Sequence, residues 1–182
     1  MEKLILVSPE LKHEKDVDEY VKEFIENGSE IFGSANIEKY MNNYTEWFKT
    51  IENGINYWNI NGNKIATSTY FAYRKKDKKL IGTINIRHRL NDQLIIKDGY
   101  IGYSVRPTER RKGYAAEILK LGLLELKEKG INNVLITCEK DNIGSAKTIL
   151  KNNGIIENEI FDEYSGKIFQ RYWVNTDKIN KN

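Results

Sequence analysis

One stretch constrains this 182-residue chain more than any other: Tyr100-Ile101-Gly102-Tyr103-Ser104-Val105-Arg106-Pro107-Thr108-Glu109-Arg110-Arg111-Lys112-Gly113-Tyr114-Ala115. The β-like run from Tyr100 to Val105 is stopped by Pro107, which lacks a backbone donor and fixes its own φ. A basic loop with a single glycine follows. Ala116, Leu119, Leu123 and Leu126 then recur at helical spacing as far as Glu128 or Lys129, and Gly130 caps the end. Such a strand, glycine loop and helix aim free N–H groups and a positive dipole end at one point in space. That point suits a phosphate or pyrophosphate.

The next run, Val134 to Cys138, has little polar interruption, as expected of a strand buried on both faces. It predicts a strand parallel to Tyr100–Val105, joined to it through the helix as a right-handed crossover. Upstream, Leu4 to Val7 reads as a short strand, and Val17, Tyr20, Val21 and Phe24 as a helix ended by Asn27-Gly28. Ile37, Tyr40, Met41, Tyr44, Trp47, Phe48 and Ile51 fall on one stripe, predicting a second helix closed by Gly54, with the aromatics as core. Ile65–Arg74 and Leu80–Arg89 predict a hairpin across the solvated Lys75–Lys79 turn, and Asn91 to Lys97 an irregular or short helical link. Asn142 to Asn153 predicts a helix with Ile143, Ala146, Ile149 and Leu150 inward. Ile155–Phe161 and Lys167–Val174 form a last hairpin. Residues 1–175 make one domain and 176–182 a polar tail.

Composition narrows the function classes. Hydrophobic residues at 40% and charged residues at 30% describe an ordinary globular chain, and a net charge of +3 gives no footing for nucleic acid or a membrane surface. Cys138 is the single cysteine, so no intramolecular disulfide forms; with only two histidines there is no metal-ligand spacing to read. The apolar run after Met1 is too short for a signal peptide, and no stretch reaches the roughly 18 apolar residues of a membrane span. These features predict a cytoplasmic protein, and heavy use of Lys, Asn and Ile points to an AT-rich, bacterial genome.

The order of elements, together with Val105-Arg106-Pro107 and Arg110-Arg111-Lys112-Gly113-Tyr114-Ala115, resembles the GNAT superfamily of N-acetyltransferases. The loop matches that family's acetyl-CoA signature: Arg or Gln, two residues, Gly, one residue, Gly or Ala. Asn142 and Ser145 match its second half-motif. Arg87 to Asn91 and Leu135 to Cys138 are also shared with a bacterial subgroup of predicted members. The resemblance runs over nearly the whole chain and is strongest from Gly99 to Gly154.

It implies an α/β GNAT fold, a mixed central sheet with splayed parallel strands and flanking helices, with acetyl-CoA as co-substrate and no metal. The N–H groups of Arg110, Arg111, Lys112, Gly113, Tyr114 and Ala115 would hold the pyrophosphate. The backbone of Tyr103 and Val105 would pair with the pantetheine arm, and the Val105 N–H would polarise the acetyl carbonyl. Asn142 and Ser145 would contact CoA; their plainer reading is an N-cap and an ordinary early-helix residue. The reaction implied is direct attack by a primary amine of a small molecule or peptide. A non-catalytic CoA-binding module and a transferase of longer acyl groups are the alternatives. The resemblance leaves room for a homodimer, though no sequence feature marks an interface.

For the acid and base, the family's usual tyrosine position is Ile149, and Gly99 stands where some members carry a glutamate. His88, with an ordinary pKa near ~6.5, is the candidate base, with Tyr103, Asp98 and Glu139 as further proton-handling candidates. Strand alternation puts Arg87 and Arg89, which could bind an acceptor's anionic group, on the face opposite His88. Cys138 reads as a buried thiol.

Overall fold

The computed structural model describes residues 2–51, 55–60 and 63–180. Gly54, expected to close the second helix, lies outside them. The first sheet contains β1 (Leu4–Val7), β2 (Ile55–Ile60), β3 (Asn63–Arg74), β4 (Leu80–Arg87) and β5 (Ile101–Val105), all paired antiparallel. Its order is β1-β3-β4-β5, and β2 shares β3 with β1: β2 pairs with residues 63–68 and β1 with residues 71–74. The second sheet is β6 (Asn133–Glu139), β8 (Lys167–Asn175) and β7 (Ile155–Asp162), in that order.

Period-two alternation in β3 separates two cores. Ala72 joins one with α4 (Tyr114–Glu128), where Ile118, Leu119, Leu123 and Leu126 are buried against Ile84 and Ile86. Phe71 and Tyr73 point the other way, into a core with α1 (Glu14–Glu26), built on Val17, Tyr20, Val21 and Phe24. α1 ends as the sequence predicts. Gly28 takes φ +61, and Ser29 N donates to Phe24 O at 2.9 Å, closing the last turn.

Several expectations are corrected. β2 was not predicted. The aromatic stripe is not one helix: a 3-10 turn over Ile37–Tyr40 and α2 (Tyr44–Lys49) are separated at Asn42, which takes φ 61. Asparagine tolerates that left-handed conformation, and no helix continues through it. The stripe still converges, because Ile37, Tyr44, Trp47 and Ile51 are buried in the α1 core, while Met41 is exposed. Asn91–Lys97 resolves into α3 (Asp92–Lys97), whose N-cap Asn91 accepts from Leu94 N at 2.9 Å. In α5 (Ile143–Lys151) Ile149 is buried, but Ile143 and Leu150, expected inward, are exposed. The segment after residue 175 is not a free tail: Thr176 and Ile179 are buried beneath a short turn.

Candidate active site

β5 and β6 lie side by side across α4 but belong to different sheets. They touch at one end, where Tyr100 N donates to Leu135 O at 2.8 Å. The approach is close because residue 99 is glycine: its φ is +60, and a Cβ there would sit 2.5 Å from Leu135 O. Beyond this apex the strands part. Arg87 N donates to Tyr100 O and Arg106 N to Ile81 O, each at 2.8 Å, so the even-numbered residues of β5 direct their backbone groups to β4. Ile101, Tyr103 and Val105 therefore turn theirs toward the gap, as the sequence reading requires for an added, strand-like partner.

The gap opens into a cleft of about 1180 Å³. At one end stands the glycine loop. Gly113 is the N-cap of α4 with φ 88, a conformation that disfavours any side chain. Ala116 N and Glu117 N both turn back to Gly113 O, at 3.1 and 3.4 Å. The N–H groups of Tyr114 and Ala115 have no acceptor within the helix, and both residues line the cleft. Arg110 is drawn back by a bond from Nε to Val105 O at 3.1 Å and stacks over Phe24. The loop thus offers backbone donors as its fixed feature.

Glu109, a loop residue to which sequence reasoning gave no role, is the electrostatic anchor of this end. It is 5% exposed and bound by Arg74 at 3.0 Å and by Lys79 and Lys112 at 2.9 Å. Burial alone would raise its carboxyl, but the bonds from Lys79, Lys112 and Arg74 prevail and hold it at about 2. An acidic residue three places after Arg106 gives no sign in the sequence that three cations from β3, the β3–β4 turn and the loop will meet it.

α5 forms the other wall. Asn142 caps it, accepting from Ser145 N at 3.0 Å, so the plainer reading of this pair is realised; both residues also line the cleft. Ser145 Oγ lies 3.2 Å from the Tyr103 hydroxyl, joining β5 to α5 across the splay. Burial pushes the Tyr103 phenol up to about 12. Cys138 faces the same space from β6, and burial, followed by the Glu139 charge, pushes its thiol up to about 11. Ile149 is wholly buried in the core and does not reach the cleft. Thr148, one helical turn beyond Ser145, lines the cleft instead while itself largely buried, at a spacing that could have been read from the sequence.

The far end is polar. Asn85, Arg87, Asp98 and Asn36 line it, beneath the loop after α1. That loop is held down by Phe32 O, which accepts from Ser104 Oγ at 2.8 Å and from Thr83 Oγ1 at 3.1 Å. Arg87 Nη1 donates to Asp98 O at 3.2 Å and Gly99 O at 3.1 Å, and burial pulls its guanidinium down to about 10, still charged at neutral pH.

His88 does not join this group. It points from the opposite face, is not among the cleft-lining residues, and its Nε2 lies 2.8 Å from Ser68 Oγ. Burial and then the charge of Lys129 pull its pKa down. Arg89 also departs, because β4 ends at Arg87; its Nη2 donates to Lys64 O at 2.9 Å. Asp98 and Glu139 do line the cleft. Among the described residues no group of three metal-ligating side chains is present, and no helix is long and apolar enough to cross a membrane.

Several solved structures with this architecture are acetyltransferases. An acetyltransferase (GNAT family) from Bacillus anthracis superposes with a TM-score of 0.64 at 18% identity, covering 97% of each chain. RimL, a ribosomal alpha-N-protein acetyltransferase in complex with coenzyme A, gives 0.63 at 13% identity, over 94% of this chain and 93% of its own. A spermidine N-acetyltransferase SpeG chimera from Vibrio cholerae and hSSAT gives 0.62 at 14% identity over 97% of both. No curated protein matches at the sequence level. The acetyltransferase (GNAT) domain family itself matches residues 4–154. The splayed strands and glycine loop are therefore those of a GNAT acetyltransferase, the family to which this chain belongs.

Proposed function

We propose that this chain transfers the acetyl group of acetyl-CoA to a primary amine, of a small molecule or a peptide, by direct attack. The observation that carries the reading is a convergence: the first turn of α4 and the odd-numbered edge of β5 offer backbone groups to one cleft, with Val105 O already taken by Arg110 Nε. A diphosphate followed by an amide-bearing arm has the chemistry to satisfy both. The similarity to RimL with coenzyme A and to a spermidine N-acetyltransferase supports the donor and the acceptor class.

Acetyl-CoA supplies an activated thioester; the chain supplies placement and polarity. The N–H groups at residues 113–115 hold the diphosphate. Tyr103 and Val105 hold the pantetheine arm through their backbones, and the Val105 N–H receives the carbonyl oxygen as it gains charge. The proton lost by the amine ends on the departing sulfur. Tyr103 serves that sulfur as a hydrogen-bond donor. A phenol near 12 stays protonated at neutral pH and does not surrender its proton to a thiolate whose conjugate acid is near ~8.5. Cys138, its thiol likewise raised, is no nucleophile at neutral pH, which favours direct attack over an acetyl-cysteine route.

Free-thiol release from acetyl-CoA, measured against amino acids, polyamines, aminoglycosides and short peptides, tests this. Release with one acceptor class is the expected result. Acetyl-CoA binding by calorimetry with no release for any acceptor would move the assignment to a CoA-binding module. That outcome has a structural footing in the withdrawal of Ile149 and His88 from the cleft. A donor-length series separates acetyl from longer acyl transfer.

A further inference from the structure

β4 is buried along its whole length, yet one of its faces is polar: Thr83, Asn85 and Arg87 alternate with Ile84 and Ile86. The isoleucines enter the core under α4, so the polar residues face the other way, where Asn85 and Arg87 line the far end of the cleft. Two of them have clear internal work. Thr83 holds the loop through Phe32 O, and Arg87 holds the turn before β5 through Asp98 O and Gly99 O. Asn85 differs. Its Nδ2 donates to Thr67 Oγ1 at 3.0 Å and Thr69 Oγ1 at 2.9 Å, but its Oδ1 has no partner among the described residues. The residue is 5% exposed and lines the cleft, while Oδ1 itself is enclosed, so an acceptor meets it as the amide turns outward. Buried amide oxygens are nearly always paired, because water is lost without replacement otherwise. The two threonine bonds account for the amide nitrogen, whereas no contact among the described residues accounts for the oxygen.

We propose that Asn85 Oδ1 accepts an N–H of the amine that is acetylated, making Asn85 the acceptor-binding residue of the site. This rests on the acetyl-transfer reading above. The chemistry then favours one substrate class. As the N–C bond forms and the C–S bond breaks, one proton leaves nitrogen for sulfur. A primary amine surrenders one N–H and keeps the other on Asn85 throughout. A secondary amine has a single N–H and loses the contact. The subsite therefore selects unhindered primary amines over their N-methyl counterparts.

The test compares wild type, Asn85→Leu and Asn85→Asp with propylamine, N-methylpropylamine, putrescine and triglycine as acceptors. Acetyl-CoA affinity by calorimetry and the melting temperature of each protein are measured alongside. Asn85→Leu is expected to lower kcat/KM for the primary amines about tenfold or more, chiefly through acceptor KM, and to erase the preference over N-methylpropylamine. Acetyl-CoA affinity stays unchanged, and the fall in melting temperature from the lost bonds to Thr67 Oγ1 and Thr69 Oγ1 is shared by Asn85→Asp, which lacks the same donor. Asn85→Asp, which keeps an oxygen acceptor, recovers most of the rate and carries the test if the leucine variant does not fold. Wild-type acceptor kinetics in Asn85→Leu overturn the proposal alone. Parallel loss of stability, acetyl-CoA affinity and rate in both variants also overturns it, since that pattern marks a structural role. Absence of transfer by the wild type to every amine, with acetyl-CoA bound, overturns the functional reading and this proposal with it.

Discussion

At the glycine-loop end of the cleft, the groups that point inward belong to the backbone: the first-turn N–H groups of α4 and the odd residues of β5. At the far end they are side chains, Asn36, Asn85, Arg87 and Asp98, drawn from the loop after α1, from β4 and from the turn after α3. A backbone site tolerates almost any side chain, apart from the glycine whose φ it requires. A side-chain site depends on identity at each position and on elements far apart in the chain. Under the proposed function, the first kind would bind what a family has in common, and the second kind would choose among substrates.

The contrast predicts where damage falls. The largest effect belongs to Gly113→Val. A branched side chain at φ 88 opposes the N-cap conformation and crowds the anion site, so acetyl-CoA affinity should fall about 100-fold with the fold retained. Calorimetry and far-UV circular dichroism check both halves, and intact affinity would remove the loop from donor binding. Glu109→Gln should act on stability, costing about 3 kcal/mol by leaving three cations without their shared carboxylate. The sign with pH is fixed. A carboxyl held at about 2 instead of 4.5 stabilises the fold above pH 4.5, and that contribution is lost as pH falls toward 2. Urea midpoints at pH 6 and pH 3 should therefore differ less in the glutamine variant than in the wild type.

Tyr103→Phe removes the hydroxyl near Ser145 and should lower kcat about tenfold while leaving acetyl-CoA affinity within about twofold. A matched loss of affinity would instead make the hydroxyl a binding group. The smallest effect is expected at His88. Because it lies on the face of β4 away from the cleft, His88→Ala should leave turnover within about twofold. A turnover loss of about a hundredfold without a change in stability would return His88 to the chemistry and break the division drawn here.

The legibility of the two ends differs for the same reason. The glycine loop, α4 and β5 were readable because proline, glycine and apolar period act within a few residues of one another. The break at Asn42 was hidden by an apolar stripe that satisfies helical spacing and is in fact completed by tertiary contact. Ile143 and Leu150 follow the same spacing and end up exposed, since periodicity defines a face without saying whether anything covers it. For Asn85 a signal was present: polar residues alternating through a strand otherwise apolar. It becomes informative only with the knowledge that both faces of β4 are covered.

The sequence by itself determined the strand, loop and helix that present backbone donors, and the family to which they belong, because these depend on local conformational preference and short-range periodicity. Tertiary structure alone decided that Glu109 collects three cations, that His88 turns away from the cleft, and that Asn85 Oδ1 is left without a partner among the described residues. Those outcomes depend on which distant residues share a volume from which water is excluded, and chain order does not encode that volume one segment at a time.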